Sequence, residues 1–438
     1  MSIDLKYGVP TVCLHTSMFT TVTKSVVRMN GAPRMRQVYL PHPVMGKSPA
    51  EIRDYVFGIS PVSGKPVMQE VVEGLTQALA EEDRKGLTFE RSTPRLCEPG
   101  TEEELHQRFL DNNWTDKLPV VLPTLERVAA MLKHTSRKPD EIVGHHAATH
   151  FREEWECTVE QVAVNAVMAG ARPEYFPVIL AIASSGASAR GSSTSSMAGM
   201  VVVNGPVRKE INMNAGIGAL APYNHANATI GRAFGLLSQN LQGGSVPGDT
   251  YMGSMGNALA YASPTFAENE ERSPWEPLHV QRGFKPGQSV VNVFIGCRHM
   301  AFTLGLRHAH WRDHVLNLFR GMDPNESPTM LLDPIVARLF GDIAGLKTKG
   351  ELIDWVATNA TMKAGEYWDY QLIQNYQYPR ATFGEEPLAS KLKAKPDEWI
   401  PMWSRDQINA VVVGGETNGY WRIAGARLAA SVCVDDWR

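Results

Sequence analysis

Apolar and polar positions along the first eighty residues alternate between two patterns. Gly8-Val9-Pro10-Thr11-Val12-Cys13-Leu14 is a continuous apolar run followed at once by polar His15, Thr16 and Ser17, the signature of a buried strand. A helix-like stretch covers about Thr20 to Met29, and Gln37-Val38-Tyr39-Leu40 reads as a second strand ending in Pro41-His42-Pro43. Ser48-Pro49-Ala50-Glu51 is a helix start, with Ser as N-cap, Pro at the first helical position and Glu at the third. Val67, Val71, Leu75 and Leu79 recur at four-residue spacing and predict an amphipathic helix from Val67 to Glu82. This β-α-β-α-α unit poses a physical problem, because two parallel strands do not make an independently stable sheet. The missing strands come from elsewhere in this chain or from another one; we expect another chain.

Residues 88–101 are polar, with two prolines and a glycine, and read as a linker; Thr101-Glu102-Glu103-Glu104 then begins a helix. Asn113–Asp116 reads as a turn and Leu118–Pro123 as a short extended segment, before a helix opening at Thr124. Thr158–Met168 is strongly helical, Pro177–Ser184 fits helix or strand, and Met200-Val201-Val202-Val203 is a strand running into Asn204-Gly205-Pro206. Thr229–Leu241 predicts a helix with Gly231 and Gly235 on one face, where a neighbour can approach closely. Val290–Ile295 and Ala410–Val413 are further β-branched runs, the second ending at Gly414-Gly415. The expected fold class is mixed α/β: an incomplete parallel-sheet unit over residues 1–87, a linker over 88–104, and a larger α/β domain over 105–438. No internal repeat is visible.

Composition narrows the function classes. A chain of 438 residues exceeds one compact core, so two or three domains are expected. Lys and Arg total 43 against 46 Asp and Glu, and no long basic run occurs, so no nucleic-acid partner is expected. No window approaches 18 uncharged apolar residues, and the first six residues do not read as a signal peptide. Five dispersed cysteines without a CxxC pair fit reduced thiols, and together these features predict a cytoplasmic protein. No nucleotide-cofactor motif is present. Glycines concentrate between Gly170 and Gly256, where tight turns bring backbone close to a ligand.

Candidate chemistry gathers at five places. The carboxyl ends of parallel strands bind ligands, which places Thr16 and His42 at one sheet edge; the alternative is that Pro-His-Pro only shapes a turn. Asn204-Gly205, Asn212-Met213-Asn214-Ala215-Gly216 and Tyr223-Asn224-His225-Ala226-Asn227 form an Asn/Gly run leading into a helix N-terminus. Asn227 or Thr229 would cap that helix, Asn204, Asn214, Asn224 and Asn227 would contact substrate, and His225 would serve as acid or base. His146, His150 and Glu154 would share a helix face able to ligate a divalent metal, and Glu156 would be a buried carboxylate or a helix cap. In residues 268–279 a solvated acidic turn explains Glu268 and Glu271 better than Glu276 and His279, which are kept as substrate contacts with Gly414 and Gly415. Cys297 ends a strand beside Arg298 and His299, cations able to lower a thiol pKa. His308, His310 and His314 read as structural or interface residues.

Gly8-Val9-Pro10-Thr11-Val12 and Tyr39-Leu40-Pro41-His42-Pro43 with Gly46 resemble the final portion of glycine reductase selenoprotein B and UGSC-motif proteins. In that group the Sec- or Cys-bearing motif lies upstream of both segments, and this chain shows no equivalent. Trp114–Val120, Thr158–Gly170, Arg172–Tyr175 and Ser273–Val280 resemble a large uncharacterised bacterial family often associated with UGSC-type proteins; the Cys expected after Ala169-Gly170 is Ala171 here. The resemblance implies thiol-assisted, reductive chemistry that makes or breaks a carbon–heteroatom bond in a small organic substrate. It also implies a heteromeric enzyme of higher oligomeric state, in which a small partner subunit supplies the missing strands and the Cys or Ser motif. A metal-dependent lyase or hydratase using His146, His150 and Glu154 is the alternative, and a non-catalytic scaffold subunit is the second.

Overall fold

A computed structural model describes residues 8–20, 23, 24, 27, 35–44, 46–78, 94–146, 155–191, 196–242, 253, 255–306 and 309–438. Its first strands are β1 (Cys13–Thr16) and β2 (Gln37–Leu40), paired in parallel as expected, followed by α1 (Pro49–Phe57) and α2 (Val67–Thr76). Ser48 and Glu51 form the anticipated reciprocal cap of α1. Gly74 lets α2 approach the strand layer, where an added Cβ would lie 2.5 Å from Val12 Cγ2. Among the described residues a two-stranded sheet forms, and few of them are buried: Val38, Tyr39, Ser60, Val67 and Gly74. Val9, Leu14, Met18, Phe57, Ile59 and Val72 stay more than half exposed. The proposed helix over residues 20–29 and residues 88–93 of the linker lie largely outside the described residues, while α2 ends at Thr76, where Gln77 turns extended, rather than running on to Glu82.

The rest of the chain continues with α3 (Glu102–Asp111), α4 (Leu125–Leu132), the hairpin strands β3 (Ile142–His146) and β4 (Trp155–Thr158), α5 (Val159–Met168) and α6 (Phe176–Ser184). The ambiguous segment ending at Ser184 is thus helical; Phe176 through Ala183 are all buried, which erases the amphipathic signal. Then come β5 (Ala198–Asn204), α7 (His225–Gln242), β6 (Thr265–Ala267), β7 (Val290–Cys297), β8 (Met300–Leu304), α8 (Trp311–Arg320), β9 (Pro328–Leu332), α9 (Pro334–Ala344) and α10 (Lys349–Asn359). The last strands are β10 (Thr361–Lys363) and β11 (Trp399–Pro401), which pair with each other, and β12 (Asn409–Val412), β13 (Tyr420–Gly425) and β14 (Arg427–Cys433).

Two four-stranded sheets result, ordered β14-β7-β5-β6 and β12-β9-β13-β8. Met200, Val202, Phe266 and Phe294 of the first meet Leu331, Val411 and Ala424 of the second in one apolar layer. Outward residues Val201, Val203, Val291 and Val293 pack under α5, α6 and α7, while Met330, Leu332, Val412, Trp421 and Ile423 pack under α8, α9 and α10. The architecture is helix, sheet, sheet, helix, and it accounts for the unbroken apolar runs, since these strands are covered on both faces.

The two sheets repeat one plan. In each, a central strand (β5 or β9) has a parallel neighbour on one side (β6 or β12) and an antiparallel neighbour on the other (β7 or β13). Val202 opposite Phe266 corresponds to Leu331 opposite Val411, both pairs in the inter-sheet layer, which makes Asn204 and Asp333 equivalent positions. The fourth strands are exchanged: the chain passes from β7 to β8 in the other sheet, and from β13 back to β14. The crossing segments bond to each other, Arg298 N–H to Gly425 O at 3.4 Å and Gly425 N–H to His299 O at 3.3 Å. The repeat is one of topology and not of sequence, since apolar alternation alone satisfies it without matching residues.

Candidate functional site

The strand-end rule brings Thr16 and His42 together. With β1 and β2 in register, Thr16 Oγ1 lies 3.0 Å from His42 Nδ1, and the Phe19 ring packs edge-on to the imidazole at 5.9 Å. Both groups are solvent-accessible, and the sheet edges beside them are unpaired among the described residues.

The Asn-rich loop is organised mainly by its own backbone. Asn224, rather than Asn227 or Thr229, caps α7, accepting from Asn227 N–H at 3.0 Å while donating to Asn212 O. Asn227 is buried; its amide accepts from Asn214 N–H and donates to Asn214 O and Ala219 O. Asn214 closes a turn between Gly216 N–H and Ile217 O. These side chains shape the loop and hold its carbonyls. His225 is exposed at the first turn of α7, 5.8 Å from the Tyr175 ring. Gly414 and Gly415 do meet this loop: Gly414 donates to Ala215 O at 2.8 Å, and a Cβ on Gly415 would lie 2.1 Å from Ile217 Cγ1.

That meeting forms one end of a cleft of about 640 Å³. The loop over residues 217–221 and the segment 256–259 make one wall, and the inner face of β13 with the start of β8 makes the other. Asn257, Arg298, His299, Asp333, Tyr420 and Arg422 supply polar groups among Ile217, Leu259, Met300 and Leu331. Its size suits a small molecule. Asp333 follows β9 at the carboxyl end and caps α9 through Ile335 N–H at 2.8 Å; burial pushes its carboxyl above the ordinary range. At the crossover end, Arg298 Nη1 and His299 Nδ1 lie 3.4 and 3.6 Å from the two oxygens of Glu326, whose side chain is 5% exposed. Burial raises the Glu326 pKa, opposed by the neighbouring His299 and Arg298. Glu326 Oε2 is enclosed without a hydrogen-bond partner. An acid–base pair with its imidazole on the cleft wall and its carboxylate behind is the arrangement that moves protons.

Several expected positions are corrected here. Cys297 is fully enclosed; burial, with a smaller contribution from Glu326, pushes its thiol up to about 12, because its flanking cations face Glu326 instead. It is therefore not an activated nucleophile. Glu156 is exposed on β4 and lies 3.7 Å from His145 Nδ1, so it is neither buried nor a cap. His146 ends strand β3, which removes the single-helix geometry expected of the metal set; His150 and Glu154 lie outside the described residues, as does His308. Among the described residues no cluster suited to a metal occurs.

Glu268, expected in a solvated turn, is instead fully buried. Its carboxylate takes the Lys349 ammonium at 2.5 Å, Asn204 Nδ2 at 2.7 Å and Leu278 N–H at 2.7 Å. Asn204 also donates to Glu270 and accepts from Asn292, so its amide is spent inside the protein. His279 is wholly enclosed beside Glu270, and Glu276 is exposed on the same loop. None of these residues lines the cleft. Sequence reasoning missed Glu326, Asp333 and Arg422. For Asp333 a signal existed: Met330-Leu331-Leu332-Asp333-Pro334 is an apolar strand running into a helix cap. Nothing local marks Glu326 or Arg422, whose setting depends on strands far apart in sequence.

Residues 3–76 match the UGSC family, a likeness confined to the two-stranded N-terminal unit and its helices. No curated protein and no solved structure matches the chain. Among the described residues, no helix is long and apolar enough to cross a membrane.

Proposed function

We propose that this chain is a subunit of an enzyme that makes or breaks a carbon–heteroatom bond in a small organic substrate, with His299 moving the proton. The observation that carries the reading is the His299 imidazole on the cleft wall, 3.6 Å from the enclosed and otherwise unbonded Glu326 Oε2. The carboxylate orients the ring and stabilises its charged form as a proton is taken up, while Arg298 limits the cost of keeping Glu326 ionised. Among the described residues no cysteine lines the cleft, and Cys297 is sealed in the inter-sheet layer, so a thiol in the reaction belongs to a partner. The N-terminal unit suits docking of that partner: it has sheet edges unpaired among the described residues, exposed apolar side chains and a match to the UGSC family.

The test is turnover by the chain co-purified with its partner on a panel of small amino, hydroxy and halogenated compounds, read by mass spectrometry. His299→Gln should lower kcat by about 10²–10⁴-fold with little change in fold. Wild-type turnover in that variant removes His299 from the reaction, and full activity of the partner alone makes this chain a scaffold.

A further inference from the structure

We propose that the cleft binds a monocarboxylate with an apolar body, its carboxylate held by Arg422 and Arg298 and its far end directed toward Asp333. The inference deepens the reading above by naming the substrate class, and it rests on that reading only for the choice of site.

Charge is distributed unevenly along the cleft. Arg298 and His299 stand at the crossover end, Asp333 at the other, and Arg422 lies on β13 between them, its guanidinium 5.8 Å from the Phe302 ring centroid. Arg298 spends Nη1 on Glu326, while its enclosed Nε has no hydrogen-bond partner. A guanidinium carries five donors in a planar fork, so the one bond to Glu326 does not exhaust it. Arg422 is exposed and faces the same side of its sheet as Leu331, its register partner on β9. Both arginines line the same cleft.

Three features limit the ligand. Ile217, Leu259, Met300 and Leu331 offer an apolar surface that a bare inorganic anion would leave unused. Two carboxylates, Glu326 behind the cations and Asp333 at the far end, oppose a dianion and favour a single negative charge. Length follows from the strand. Asp333 N–H bonds Tyr420 O and His299 O accepts from Gly425 N–H, so the ends lie five residues apart on β13. At about 3.3 Å per residue that is roughly 17 Å for the whole cleft, and Arg422, two residues from Tyr420, stands about 7 Å along the strand from the Asp333 end. A six-carbon acid fits, with a hydrogen-bond donor on its distal carbon favoured by Asp333.

The probes are hexanoate, 6-hydroxyhexanoate, hexyl phosphate and hexylamine, titrated into the full chain and followed by saturation-transfer NMR, which needs no turnover. We expect hexanoate to bind, 6-hydroxyhexanoate to bind at least as tightly, and the phosphate and amine to bind at least fivefold more weakly. Arg422→Gln, at an exposed position that leaves the core intact, should weaken hexanoate at least fivefold, and Arg422→Lys should restore most of the loss. Tighter binding of hexylamine or hexyl phosphate overturns the monocarboxylate assignment, as does unchanged hexanoate affinity in Arg422→Gln. If hexanoate binds while His299→Gln turns over normally, the acid–base reading fails and the ligand class stands. If His299→Gln is inactive and hexanoate does not bind, the ligand class fails alone.

Discussion

At the scale of single residues, the groups that carry the proposed chemistry are those held against their own preference. Burial raises the Glu326 pKa, so the folded state binds a proton more tightly than the unfolded chain does. The sign follows from linkage: stability from this group is greatest below the ordinary carboxylate value of 4.5 and falls as pH rises through the raised value. Above the ordinary carboxylate value burial is a cost that a non-titrating amide avoids, so Glu326→Gln should raise the melting midpoint at pH 7 while lowering turnover, a separation seen by calorimetry and kinetics on one preparation. Lys391 obeys the same physics with opposite charge. Enclosed against the Tyr367 ring with one bond to Met402 O, its ammonium is pushed down to about 8 from 10.5. Between those values the unfolded chain holds a proton that the folded protein has shed, so wild-type stability rises with pH by at most about 3 kcal/mol. Lys391→Met should be more stable by about 1–2 kcal/mol at pH 7 and should lose that rise, as urea melts of both proteins at pH 7 and 10.5 will show.

At the scale of elements, what a short window encodes was readable and what pairing encodes was not. The capping boxes at Ser48, Thr101 and Thr158 announce α1, α3 and α5, because the cap and its partner are three residues apart. Thr16 and His42 could be placed together for a similar reason, since parallel neighbours put their following residues at one edge. His299 was visible only as a neighbour of Cys297. Its role depends on Glu326, which precedes a strand of the same sheet as β8, and no local pattern links them. Gly414-Gly415 shows the intermediate case: the pair signalled close approach, but the partner, Ile217, is some two hundred positions away. The element-level test is Gly415→Ala. Its Cβ would lie 2.1 Å from Ile217 Cγ1 and 2.9 Å from Ile217 N, so the backbone of the loop must give way along with the side chain. We expect a loss of about 1–3 kcal/mol in denaturant melts, together with weaker hexanoate binding. Unaltered binding would mean the loop end of the cleft does not matter to the ligand.

At the scale of the whole molecule, the exchanged strands decide which parts stand alone. Neither half of the repeated plan is complete in sequence, because β14 finishes the sheet begun by β5 and β8 finishes the sheet begun by β9. Lys349 of one half is neutralised by Glu268 of the other in full burial, so separating the halves strands two charges. Residues 101–438 should therefore unfold in one cooperative step. The N-terminal unit is different: none of its described residues belongs to the three apolar cores, and its own elements pack chiefly on one another. A unit so poor in buried surface contributes little to the enthalpy of unfolding. Deleting residues 1–87 should then leave the calorimetric midpoint within about 2 °C and hexanoate binding unchanged, while abolishing capture of the partner subunit. A fall of more than about 5 °C would show that the unit is a working part of the core. Retained partner capture would place the docking surface elsewhere and leave the edges of β1 and β2 without the role proposed for them.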